Sequence, residues 1–116
     1  MPDEQQVLGL ALENVHKALV LKPTSAVAHC LAGTAYERTS SEAEAEKSYK
    51  EALDLDSEMP AARLMLACLY MHQKKWMESL ENLGAYLQDH PYANDRLLVK
   101  SLMSDITDKM LSSDSF

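Results

Sequence analysis

The sequence predicts an all-α fold built from antiparallel helix hairpins repeated along the chain. Two observations carry that expectation. The 116 residues contain only three Gly and four Pro, and Ala, Leu, Glu, Lys and Met dominate, a mixture that favours helix over strand. A period of 34 residues also runs through the chain. Leu19, Leu53 and Leu87 share a column, as do Ala11, Ala45 and Ser79; Val15, Tyr49 and Leu83; and Pro23, Ser57 and Pro91. Gly33 with Ala67 and Tyr36 with Tyr70 keep the same step. Independent columns that hold one size class at one spacing mark a helical repeat.

The elements follow in order. A first helix spans 4–21 and stops before Pro23, because proline disfavours helix at the residue before it. A second runs from Ser25 to Arg38. Ser41-x-x-Glu44 has the form of a capping box opening a third, which reaches Leu55. Ser57 has the chemistry of an N-cap for a fourth helix near Met59–Gln73, with Pro60 acceptable in its first turn. The fifth spans Trp76–Asp89 before Pro91, and a last helix covers 94–111. The polar residues 112–116 read as a frayed tail. The organisation expected is one domain over 1–116: an orphan helix 4–21, repeats 25–56 and 59–90, and a closing helix.

The columns alternate in size. Gly33, Ala67, Ala45, Ser79, Ala18 and Ala52 let two helix backbones approach, and Tyr36, Tyr70, Tyr49 and Leu83 fill the space beside them. The first copy reads His29-x2-Ala32-Gly33-x2-Tyr36, then Ala45-x3-Tyr49, then Ser57. The second reads Arg63-x2-Leu66-Ala67-x2-Tyr70, then Ser79-x3-Leu83, then Pro91. This pattern resembles the tetratricopeptide repeat family. The resemblance implies a right-handed α-solenoid, here the C-terminal portion of an array with a capping helix, acting in protein–protein interaction. It also implies that peptides bind along the first helix of each hairpin.

Net charge is −7, from 18 acidic and 11 basic residues. Phosphate and anionic membrane both require clustered cations, so neither nucleic acid nor membrane is an expected partner. Two cysteines, Cys30 and Cys68, suit a reducing compartment, and the expected location is cytoplasmic, with the nucleus left open.

Register singles out the first helix. It aligns with the third and fifth helices, the second members of their hairpins, so its own hairpin partner is missing. Leu10 stands where the later copies have Glu44 and Glu78, Val20 where they have Asp54 and Gln88, and Leu8 where Glu42 stands. Leu8, Leu10, Leu12 and Val20 are therefore expected to pack on a missing repeat, a second copy or a partner. The last helix, with Asp95, Asp105 and Asp108, reads as a solvating cap.

The candidate groove consists of Val27, Cys30, Thr34 and Glu37 on the second helix and Ala61, Leu64, Cys68, Met71 and His72 on the fourth, extended by Leu98 and Leu102. That surface is largely apolar and suits the apolar face of a helix or an extended peptide. The resembling co-chaperones that hold C-terminal carboxylates of heat-shock proteins use a Lys, Asn and Arg clamp here. This stripe offers no cationic pair, which disfavours that ligand class. Met65 and Met103 are expected in the core, and Trp76 in hairpin packing. Cys68 and His72 lie four apart, yet with Cys30 they fall short of a zinc set or a nucleophile pair. No metal, no cofactor and no catalysis are expected. The expected function is an adaptor or scaffold module. The alternatives are a tetratricopeptide chaperone for secreted proteins and a regulatory domain of an associated enzyme.

Overall fold

The structure, a computed structural model, describes residues 3–113. It contains six helices: α1 (Glu4–Leu21), α2 (Ala26–Arg38), α3 (Glu42–Leu55), α4 (Pro60–His72), α5 (Trp76–Asp89) and α6 (Arg96–Ser113). No strand occurs among the described residues. The fold is an all-α helical repeat. No helix among the described residues is long and apolar enough to cross a membrane. The last helix runs on through Ser113, so residues 112 and 113 of the expected frayed tail are helical, and 114–116 lie outside the described residues.

By contacts the chain divides into two compact units, Met1–Ala62 and Arg63–Phe116. In the first, α2 packs against both α1 and α3. Its core holds Leu8, Ala28, Cys30, Ala32, Ala35, Ala45, Tyr49 and Ala52. Close approach at Gly33 organises the α2–α3 contact: a Cβ there would lie 2.6 Å from Cε1 of Tyr49. In the second unit Ala67, Leu83, Tyr86, Val99 and Ile106 form the core, with Leu64, Met71, Trp76, Leu102 and Met103 packed against it. Here the column of Gly33 holds Ala67 and the column of Tyr49 holds Leu83. A larger small residue thus meets a smaller large one, and the pair sum is roughly kept, as close packing requires.

The 34-residue period extends to the backbone. Ser40 and Lys74, 34 apart, are the two non-glycine residues with positive φ among the described residues, at 62° and 61°. Each follows a helix end in which two amides turn back onto the last carbonyls. Ser41 donates to Tyr36 and Ser40 to Glu37; Lys75 donates to Tyr70 and Lys74 to Met71. This is the Schellman closure, built twice without glycine. The connections between hairpins repeat as well: Lys22, Asp56 and His90 donate to Ala18, Ala52 and Tyr86, and Ser25, Met59 and Ala93 donate to Lys22, Asp56 and His90.

The capping chemistry differs from the sequence expectation at two places. Ser41 makes no side-chain cap bond to α3, because its amide is already committed to Tyr36 and its Oγ accepts from Thr39 Oγ1 at 3.4 Å. Helix α4 begins at Pro60, which puts Met59 in the cap position and leaves Ser57 in the preceding turn. A capping box does form at the start of α1. Asp3 Oδ1 accepts from the Gln6 amide at 2.8 Å, and Gln6 Oε1 accepts from the Asp3 amide at 3.0 Å.

Candidate functional site

The exposed stripe on each first helix keeps Val27, Thr34, Ala61, Cys68 and His72 of the expected set and departs from it at the other positions. On α2, Cys30 is buried. Thr34 is half-buried, its hydroxyl donating to the Cys30 carbonyl at 3.2 Å and lying 3.3 Å from the Tyr49 hydroxyl. Glu37 accepts from that same Tyr49 hydroxyl at 2.6 Å. Glu37 is therefore tied to a buried phenol. Val27 remains open at 60% exposure, and Leu31, absent from the expected set, joins it at 55%. With Thr34 and exposed Arg38 they form one helical stripe at positions i, i+4, i+7 and i+11.

On α4 the same four columns recur as Ala61, Met65, Cys68 and His72, all exposed. Met65, expected in the core, is 39% exposed. Leu64 and Met71 turn the other way and pack on the core of the second unit, as does Leu102. Met71 and Leu102 do share a cleft, bounded by Ile106, Asp105, Asp108 and Lys109. Leu98 points outward. The signal that would have placed the stripe was the period itself. Gly33 and Ala67 mark the packed side of each first helix, and the open side follows half a turn away.

Polar groups around the hairpins have structural partners. His29 is held at both ring nitrogens, Nε2 against the Pro23 carbonyl at 2.9 Å and Nδ1 against Glu51 at 3.0 Å. Arg63, in the same column, donates from Nη1 to Asn82 Oδ1 at 3.3 Å. In both copies the side chain in this column reaches across to the second helix of its hairpin. Ser79 Oγ donates to the Ala67 carbonyl at 2.8 Å, which satisfies a hydroxyl in an otherwise alanine-type column. Asp95, read as a solvating charge, accepts from the Tyr86 hydroxyl at 2.5 Å. Burial, and then the hydrogen bond to Glu37, push the Tyr49 phenol well above its ordinary range. For Tyr86 the hydrogen bond to Asp95 comes first. Burial also raises the Cys30 thiol. No group of three or more metal-ligating side chains occurs among the described residues.

On α1, Leu8 is buried by this chain itself, and Leu12 is half-buried. Leu10 and Val20 are open, together with Val7 and Leu21. A hollow along one flank of the helix is lined by Gly9, Leu12, His16 and Val20, among others. His16 Nε2 meets the Tyr36 hydroxyl at 2.9 Å.

Repeated hairpins with small-against-large packing define a tetratricopeptide-type fold, and the solved structures agree. The chain is similar to the first tetratricopeptide domain of Spaghetti (RPAP3) bound to the HSP90 peptide SRMEEVD, with a TM-score of 0.80. The two are 18% identical, and the match covers 93% of this chain and 83% of that one. No family model matches the chain, and no curated protein does.

Proposed function

We propose that this chain is a protein-interaction module in which the open stripe of each first helix binds a helical or extended apolar segment of a partner protein. The observation that carries this reading is the recurrence of one solvent-facing stripe, Val27–Leu31–Thr34–Arg38 and then Ala61–Met65–Cys68–His72, on a fold whose solved likeness holds a peptide. Anchors spaced at i, i+4 and i+7 suit the apolar face of a helix, and the Met65 side chain adapts to irregular partners. The module acts by binding, without catalysis of its own.

The segment differs in charge from the peptide in the similar structure. SRMEEVD ends in acidic residues, and a carboxylate-rich peptide needs paired cations. Here the stripes carry Arg38 alone as a permanent cation on α2 and His72 on α4, in a chain of net charge −7. An apolar segment therefore fits better than an acidic tail.

Selection of peptides from a displayed library against the purified chain tests the reading. Apolar, amphipathic sequences should emerge, and SRMEEVD should bind at least about tenfold more weakly, the equivalent of one lost charge-assisted contact. The double variant L31E/M65E should lose the selected peptides while its helical circular dichroism stays unchanged. Equal binding by that variant would remove the stripes from consideration.

A further inference from the structure

The open face of α1 can be read against its own repeats. In α3 the stripe Ala45, Ser48, Tyr49 and Ala52 is turned toward the preceding helix; Tyr49 contacts Gly33, and Ala45, Tyr49 and Ala52 are 0% exposed. In α5 the same columns, Ser79, Asn82, Leu83 and Tyr86, are likewise buried. In α1 they are Ala11, Asn14, Val15 and Ala18. Asn14 and Ala18 are exposed, and Ala11 and Val15 are half-buried. Three helices of one type thus share a face that two bury and one leaves open.

The covered copies show what the cover is made of. Each preceding helix sets a basic residue four positions before a small one: His29 before Gly33, and Arg63 before Ala67. The small residue admits the large side chain of the second helix, and the basic one reaches across to it. Arg63 bonds the carboxamide of Asn82, whose counterpart on α1 is the same residue type, Asn14. We propose that the Ala11–Asn14–Val15–Ala18 face of α1 is a docking site for one amphipathic helix of a partner protein. That helix sets Arg or Lys on Asn14 and, four residues on, Gly or Ala on Val15. This names the occupant that the interaction-module reading leaves open for α1, and it rests on that reading.

Two alternatives on the molecule fit less well. A second copy of this chain brings no spare first-helix face, since Gly33 is filled by Tyr49, and Ala67 is packed with Leu83 and bonded by Ser79. The hollow on the other flank, at Gly9, His16 and Val20, is the wrong side. Its columns in α3 are Ala43, Lys50 and Asp54, all solvent-exposed in the repeat.

The test uses the intact chain and, as a probe, a capped fluorescent peptide with the sequence of residues 60–73 carrying Cys68→Ser. It presents the basic-x3-small pattern of a first helix. Saturable binding is expected by anisotropy. Ala18→Arg, at an exposed position, should weaken it at least about tenfold by blocking backbone approach. Replacing the probe's arginine by alanine should cost about 3- to 10-fold, the worth of one hydrogen bond. Val20→Lys and L31E/M65E should leave binding unchanged, and circular dichroism should show every variant folded. Absence of saturable binding, or binding indifferent to Ala18→Arg, overturns the proposal. So does binding lost with Val20→Lys, or an Ala18→Arg-sensitive dimer in light scattering that takes up no probe. Because L31E/M65E reports on the first-helix stripes alone, failure here leaves that reading standing, and its failure leaves this one testable.

Discussion

Gly33 carries the most information of any single position. Its missing Cβ is the space taken by the Tyr49 ring, which is fully buried and anchored at its hydroxyl by Glu37 and Thr34. Gly33→Ala should therefore destabilise the chain by about 1–3 kcal/mol through overpacking, despite the better helix propensity of alanine. Adding Tyr49→Leu recreates the Ala67–Leu83 pairing. Urea unfolding of G33A, Y49L and G33A/Y49L should give a double variant more stable than the sum of the single effects predicts. Simple additivity would mean that the two positions do not interlock. The phenols give a second prediction. Tyr49 and Tyr86 hold their protons more tightly folded than unfolded. Their contribution is fully present below the unfolded tyrosine value of about 10 and is lost as pH rises above it. Cys30 acts in the same direction from about pH 8.5, the free-thiol value. Unfolding midpoints measured from pH 8 to 11 should fall with pH, and Y49F should flatten the upper part of the decline.

At the scale of helices and turns, the period was legible to within a residue or two, because side-chain size and proline positions report directly on packing and on helix ends. The second helix begins one residue after Ser25, which caps it by accepting from the Ala28 amide at 3.1 Å. Turn chemistry was less legible. Ser41-x-x-Glu44 has the letters of a capping box, but the Schellman closure one residue earlier claims the Ser41 amide, and nothing local in the sequence announces that closure without a glycine. Ser40 and Lys74 bear left-handed backbone that costs a residue with a side chain roughly 1–2 kcal/mol. Ser40→Gly and Lys74→Gly should each raise stability by about 0.5–1 kcal/mol in denaturant unfolding, net of the entropy glycine adds to the unfolded chain. A loss in both would show that the closure is held by the side chains. Leu64 and Met65 illustrate the limit on the site. Adjacent residues on α4 look alike in sequence, and a 100° rotation sends Leu64 into the core and Met65 to solvent.

For the chain as a whole, composition and period together led to the fold, whereas the binding surface was legible only as a face and not as a residue set. The difference is physical. Burial is shared by every copy of a repeat and so leaves a periodic record, while a ligand is absent from the sequence it selects. The α1 face is the exception, because its covered counterparts on α3 and α5 show what an occupied version looks like. The central claim is capture of an apolar segment on the first-helix stripes, and methyl NMR tests it most directly. In a chain labelled at the methionine and leucine methyl groups, titration with a library-selected peptide should shift Met65 and Leu31 saturably while Leu83 and Leu66, both buried, stay in place. Shifts confined to α6 or to α1, with Met65 and Leu31 unmoved, would contradict the account.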